Sequence, residues 1–173
     1  MTGVRKSLAR VEIALKWDPS PSGAPAHDLD VIAAVYGADD PYGDPVHLVH
    51  FGRRSPDGTI TLNRDSRTGQ GFGYDEVMTV ELDRMADRTA RVVVGVVIQG
   101  DGAKTFAAVP GTGIRIREGA EDLALDDLAA VADAGAATVA VFTRDGSGGW
   151  TADLEVRGFA VGPDEFTRVM GGR

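Results

Sequence analysis

Carboxylates and glycines crowd into one stretch of this chain, Asp65-Ser66-Arg67-Thr68-Gly69-Gln70-Gly71-Phe72-Gly73-Tyr74-Asp75-Glu76. Gly69, Gly71 and Gly73 stand at every second position and free the backbone to take unusual φ values, so that carbonyl oxygens can converge on a cation. Asp65 at one end, and Asp75 with Glu76 at the other, add carboxylates. Calcium takes roughly six to eight oxygens from carboxylates, carbonyls and water, so the chemistry these residues offer is calcium binding. Upstream, Asp28-Leu29-Asp30 puts two carboxylates on one face of an extended segment. Two such charges repel when close unless a cation or a base sits between them. At a solvated strand end the repulsion is screened and small, so this pair alone reads either way.

Asp65 and Glu76 have the spacing of the first and last ligands of an EF-hand loop, but the interior of that pattern fails. Arg67 and Gly69 replace its second and third acidic ligands, and Gln70 stands where its sharp-turn glycine belongs. The flanking segments have strand character, so the EF-hand is rejected and the oxygen-rich loop is kept.

Other constellations carry less. Gly100-Asp101-Gly102-Ala103-Lys104-Thr105 lacks the glycine before lysine that a phosphate loop needs, and is expected to be a hairpin turn. His27, His47 and His50 are the only histidines. His47 and His50 differ by three and face opposite ways on a strand, so surface histidines are expected rather than a zinc site. Glu121-Asp122 and Asp126-Asp127 read as a solvated acidic face. No Gly-x-Ser-x-Gly elbow occurs, and no histidine is paired in sequence with a plausible nucleophile, so no catalytic residues are assigned and an enzyme is not expected.

The elements that must position the loop are short strands. Val11, Ile13, Leu15 and Trp17 alternate with polar or small residues, as a half-buried strand does. Further strands are expected at Leu29 to Tyr36, Val46 to Phe51, Thr59 to Leu62, Glu76 to Leu82, Arg91 to Gln99, Thr112 to Arg117, Ala137 to Arg144 and Trp150 to Val161. The unbroken apolar middle of Arg91 to Gln99 marks a central strand covered on both faces. Ser55-Pro56-Asp57-Gly58 is a turn expected to join two antiparallel strands, and the turn at 145–149 makes the last pair a hairpin. Leu125, Leu128 and Val131 recur at helical spacing, which leaves residues 120–134 open between helix and strand. Pro163 to Met170 suits a short terminal helix. The expected fold is all-β: a β-sandwich of two mostly antiparallel sheets with one or two short helices, and Trp17 and Trp150 in its core.

Composition is consistent with one domain over residues 1–173, with a core at about 8–162. The chain has 173 residues, 43% of them hydrophobic, and 18 basic against 26 acidic residues for a net charge of −8. That charge argues against a nucleic-acid partner, since phosphate binding wants clustered Lys and Arg. There are no cysteines, which excludes disulfides and thiolate metal sites. Met1 to Arg10 has no apolar run of signal-peptide type, and Val92 to Ile98 is too short to span a bilayer, so no transmembrane segment and a cytoplasmic location are expected.

The order of Trp17-Asp18, Asp28-Leu29-Asp30, Ser55-Pro56-Asp57-Gly58 and the Asp65 to Glu76 segment resembles the TerD family of tellurium-resistance and stress-response proteins. The likeness continues through Val92 to Ile98, Ile114-Arg115-Ile116, Gly149-Trp150 and Arg157-Gly158-Phe159. It implies a β-sandwich that binds calcium in bacterial stress responses, without enzymatic activity, and with possible protein partners in a stress-response complex. The implied metal set is Asp28, Asp30, Asp65, Asp75 and Glu76, with the carbonyls of Gly69, Gly71 and Gly73. This chain departs from the family pattern at Arg64, Ser66, Phe72, Tyr74 and Gln99-Gly100, and Phe72 and Tyr74 stand where two aspartates are usual. An interaction module with weakened or lost metal binding is the alternative that these departures imply.

Overall fold

The computed structural model describes residues 7–64, 69, 73–100 and 104–172. Asp65, Gly71 and Phe72 therefore lie outside the described residues. Eleven strands are described: β1 (Arg10–Lys16), β2 (Leu29–Gly37), β3 (His47–Val49), β4 (Ile60–Arg64), β5 (Glu76–Glu81), β6 (Thr89–Ile98), β7 (Gly113–Glu118), β8 (Glu121–Asp126), β9 (Ala136–Arg144), β10 (Trp150–Asp153) and β11 (Arg157–Phe159). One α-helix, α1 (Pro163–Val169), and short 3-10 turns complete the chain.

The strands form two antiparallel sheets. One runs β4-β5-β1-β7-β8, and the other β10-β9-β6-β2-β3, with β11 also paired to β9. The alternation in β1 does what it predicts: Val11, Ile13 and Leu15 turn into the space between the sheets, where they meet Val31, Val92, Val94, Val139 and Phe142. β2 and β6 are apolar on both faces, and for a reason. Their other face, with Ile32, Ala34, Tyr36, Val93 and Val97, lies under α1, which sets Phe166 and Met170 against it. Pro163 opens that helix at a position where its missing N–H costs nothing. Gly95 on β6 makes room for it: a Cβ there would stand 2.6 Å from the Phe166 ring.

Two local expectations are corrected, and a third segment left open by the sequence is decided. The turn at Ser55 to Gly58 closes with the Gly58 N–H on the Ser55 carbonyl, yet β3 pairs β2 in one sheet and β4 pairs β5 in the other. It is a crossing between sheets rather than a hairpin, because both neighbours find better apolar partners elsewhere. β6 and β7, on either side of the Gly100 to Thr105 stretch, belong to opposite sheets and so form no hairpin; residues 101–103 lie outside the described residues. Residues 120–134 resolve into β8 followed by a 3-10 turn at Ala129–Val131. The helical spacing there is real, but β7 offers a pairing partner and Leu128, at φ 60°, breaks any helix. The hairpin at 145–149 and the terminal helix form as expected.

Candidate functional site

Three connections meet at one end of the sandwich, and Trp17 is their hub. Just past the end of β1, Trp17 donates its main-chain N–H to the Asp75 Oδ2 at 2.9 Å and its indole N–H to the His27 carbonyl at 2.9 Å. The Asp75 N–H in turn donates to the Leu15 carbonyl at 2.8 Å, which extends the β1–β5 ladder by one step beyond the Leu15–Glu76 pair. Gly69, at φ 73°, folds against the same indole; a Cβ would stand 2.6 Å from Trp17 Cδ1. Only glycine satisfies both the left-handed backbone and that approach. Gly73 is also left-handed, at φ 76°. The connection from β6 to β7 joins in where the Asp18 N–H donates to the Pro110 carbonyl at 2.9 Å.

Glu76 links the two sheets. It shares its strand face with Met78 and Val80, so it points into the interior, where it is fully buried. Its Oε1 accepts the Val31 N–H from the opposite sheet at 2.9 Å. The reason lies in the register. β3 pairs with Ala33, Ala34 and Val35 only, and the Val35 carbonyl faces that side. Val31, four residues before Val35, presents its N–H on the same side, beyond the end of β3. Glu76 therefore supplies the acceptor that the missing strand would have given.

Asp28 and Asp30 stand at the same end but turn the other way. Asp30 alternates with Leu29 and Val31, which face the interior, and falls on the face of Ile32 and Ala34. It is only 2% exposed, and its Oδ2 accepts a short hydrogen bond from the Gln99 amide. The Gln99 N–H donates to the Asp28 carbonyl at 2.8 Å. His27, expected at the surface, is buried, and its Nδ1 lies 3.0 Å from Lys104 Nζ. Burial pushes the imidazole pKa down, and the neighbouring ammonium pushes it further the same way. Both effects favour the neutral ring, whose Nδ1 can accept a hydrogen bond from the Lys104 ammonium.

The structure brings Asp75, Glu76, Gly69 and Gly73 together around Trp17, and places Asp28 and Asp30 across the β2 backbone from Glu76. Among the described residues no three acidic or histidine side chains form a group able to hold a metal. Asp65 and Gly71 lie outside the described residues. The described carboxylates of Asp30, Asp75 and Glu76 are buried, hard oxygen donors. Sequence reasoning missed His27 and Lys104, since nothing in their spacing signals a pair separated by 77 positions. Tyr74 turns outward, with the Arg115 guanidinium 4.4 Å from its ring centroid.

A two-sheet antiparallel sandwich with an acidic, glycine-bearing connection anchored on a buried tryptophan is what this fold and site define. The TerD domain family model matches residues 1–162, and the chain belongs to that family. It is 30% identical over 113 residues to the tellurium resistance protein TerD of an Alcaligenes species, and 29% identical over 113 residues to that of Serratia marcescens. Each match takes in 64% of this chain and 59% of the relative, so the chain spans about three fifths of the length of the curated relatives it matches. A crystal structure described as that of a TerD homologue from Streptomyces coelicolor A3(2) superposes with a TM-score of 0.92 and 53% identity, over 95% of this chain and 98% of that one. A second, of a protein described as of unknown function, reaches 0.94 and 56% over 97% and 99%. Among the described residues no helix is long and apolar enough to cross a membrane.

Proposed function

We propose that this is a calcium-binding, non-enzymatic protein of bacterial stress responses, of the tellurium-resistance type, acting in the cytoplasm. The observation that carries this reading is the burial of Asp75 and Glu76, at 2% and 0% exposure, at the foot of the glycine-bearing connection. Main-chain N–H groups of Trp17 and Val31 fix one oxygen of each carboxylate, so both are oriented in advance. Burying several carboxylates at one end of a chain of net charge −8 is costly, and a divalent cation offsets that cost. Asp65, Asp75 and Glu76 would hold the ion with carbonyls of Gly69, Gly71 and Gly73, while Asp28 and Asp30, across the β2 backbone, would add negative charge nearby without joining that shell. When bound, calcium supplies charge neutralisation that ties the connection to both sheets. Ser55, Asp57 and Thr59 spend their polar groups on one another in a turn, which supports a non-enzymatic reading of that cluster.

A specific observation favours a second reading, an interaction module with weakened metal binding. Gln99 places a neutral amide on Asp30, so this carboxylate has a partner within the protein. Calorimetric titration with calcium, using magnesium as the control, separates the two. A glycine-bearing loop tolerates the larger, irregular shell of calcium, whereas magnesium demands a compact octahedron. Micromolar calcium binding with weak magnesium binding, lost in Asp65→Asn, is the expected result. Equal millimolar affinity for both ions would leave the interaction module standing.

A further inference from the structure

At the other side of the sandwich, β8 and β10 are the outermost strands of their sheets. A cleft of about 380 Å³ opens between them, floored by Leu8, Leu123, Trp150 and Leu154. Three of these leucines are only partly buried, so the interior apolar layer reaches the surface here. Leu125, on the same edge strand, is 66% exposed.

The rim is acidic. Among the described residues Glu118, Glu121 and Asp122 line the cleft, and no basic residue does. Some of these are engaged within the fold: Glu118 accepts the Ala9 N–H at 2.7 Å, and Asp122 pairs with Arg117 at 2.7 Å. The exposed Glu121 side chain makes no such contact among the described residues. Acidic side chains on an edge strand serve by themselves to discourage aggregation, so they do not define a site.

Trp150 adds a second, independent feature. It lines the cleft, is 2% exposed, and its indole N–H has no acceptor among the described residues. The other tryptophan shows the contrast, since the Trp17 indole is bonded to the His27 carbonyl. Buried donors are almost always satisfied, and one left without an acceptor costs about 1–3 kcal/mol. Arg144 already covers one face of the Trp150 ring, its guanidinium 4.6 Å from the centroid. The same ring also lines the cleft.

We propose that the β8–β10 cleft is a docking site for an extended, basic peptide segment of another protein. The terminal strand of a sheet offers a row of main-chain groups for one more strand. A strand added along β8 turns alternate side chains toward the apolar floor and leaves its cationic ones for Glu121 and the acidic rim. One of its carbonyls accepts the Trp150 indole proton. The proposal goes beyond calcium binding and does not depend on it.

The test uses the full chain in chelator, labelled with 15N. The probe is a blocked ten-residue peptide alternating lysine with valine; a glutamate-for-lysine version and spermine are the controls. The chain has two tryptophans and hence two indole N–H signals. The expected result is a saturable shift of the Trp150 signal alone, with new exchange protection along β8. Glu121→Lys, at an exposed position, weakens binding by about tenfold or more. Trp150→Phe keeps the ring, loses the donor, and weakens binding of a labelled peptide several-fold. A well-dispersed amide spectrum of each variant shows that it remains folded. No saturation below millimolar peptide, a shift of the Trp17 signal instead, or equal effects of spermine or the acidic peptide would each overturn the proposal.

Discussion

Glu76 is the residue at which fold and candidate site coincide, and two substitutions separate its roles. Glu76→Ala removes the acceptor that the Val31 N–H uses across the sheets. An N–H left buried without a partner costs about 1–3 kcal/mol, and truncating a fully buried side chain adds a cavity term, partly offset because a buried charge is also removed. The net loss should be about 2–4 kcal/mol. For a chain of 173 residues, at about 3 °C per kcal/mol, that lowers the melting midpoint by roughly 6–12 °C. Glu76→Gln keeps a carbonyl oxygen for Val31 and loses only the charge assistance, about 1 kcal/mol or roughly 3 °C. Those values apply in chelator. In calcium at a hundred times the dissociation constant, the wild type gains about 2.7 kcal/mol, or roughly 8 °C. If Glu76→Gln weakens binding tenfold, its gain falls to about 1.4 kcal/mol, or roughly 4 °C. Differential scanning calorimetry of the three proteins, in chelator and in calcium, reads all six values. An Ala variant melting within about 2 °C of wild type in chelator refutes the inter-sheet role. A Gln variant keeping the full calcium gain refutes the ligand role.

Gly69→Ala should cost about 1–3 kcal/mol more than Gly73→Ala in urea unfolding, because both are left-handed but only at Gly69 would the new methyl meet Trp17. Equal costs would show that the Gly69–Trp17 contact is not rigid. Gly95→Ala should lose about 1–3 kcal/mol through displacement of Phe166, and Phe166→Leu in the same chain should recover part of it. Strict additivity in that double-mutant cycle would count against a direct contact. Stability should also fall in acid through the histidines. Burial, then Lys104, lowers the folded pKa of His27 below its ordinary 6.5, so the unfolded chain takes up the proton first. His27 stabilisation is therefore complete above that value and is lost as pH drops through the folded pKa. Unfolding free energies between pH 7.5 and 5 should decline less steeply in His27→Gln; an unchanged slope would contradict the assignment.

Much of the architecture was legible because strands leave local signatures. The alternation of Val11, Ile13 and Leu15 marked the interior face of β1, and the unbroken run from Val92 marked a strand covered on both sides. The left-handed glycines Gly69 and Gly73 were equally legible, since glycine reports backbone freedom without reference to neighbours. What the sequence left open was who pairs with whom. The Ser55–Gly58 turn looks the same whether it closes a hairpin or crosses between sheets, and pairing with β2 and β5 decided for the crossing. Residues 120–134 suited a helix by period, and the free edge of β7 made a strand of them. At the site, Glu76 meeting Val31, Gln99 meeting Asp30 and Lys104 meeting His27 were invisible in one dimension. Each depends on where a neighbouring strand stops and which way a face turns, and those are properties of the assembled sheets, set by burial across distances that local spacing does not encode.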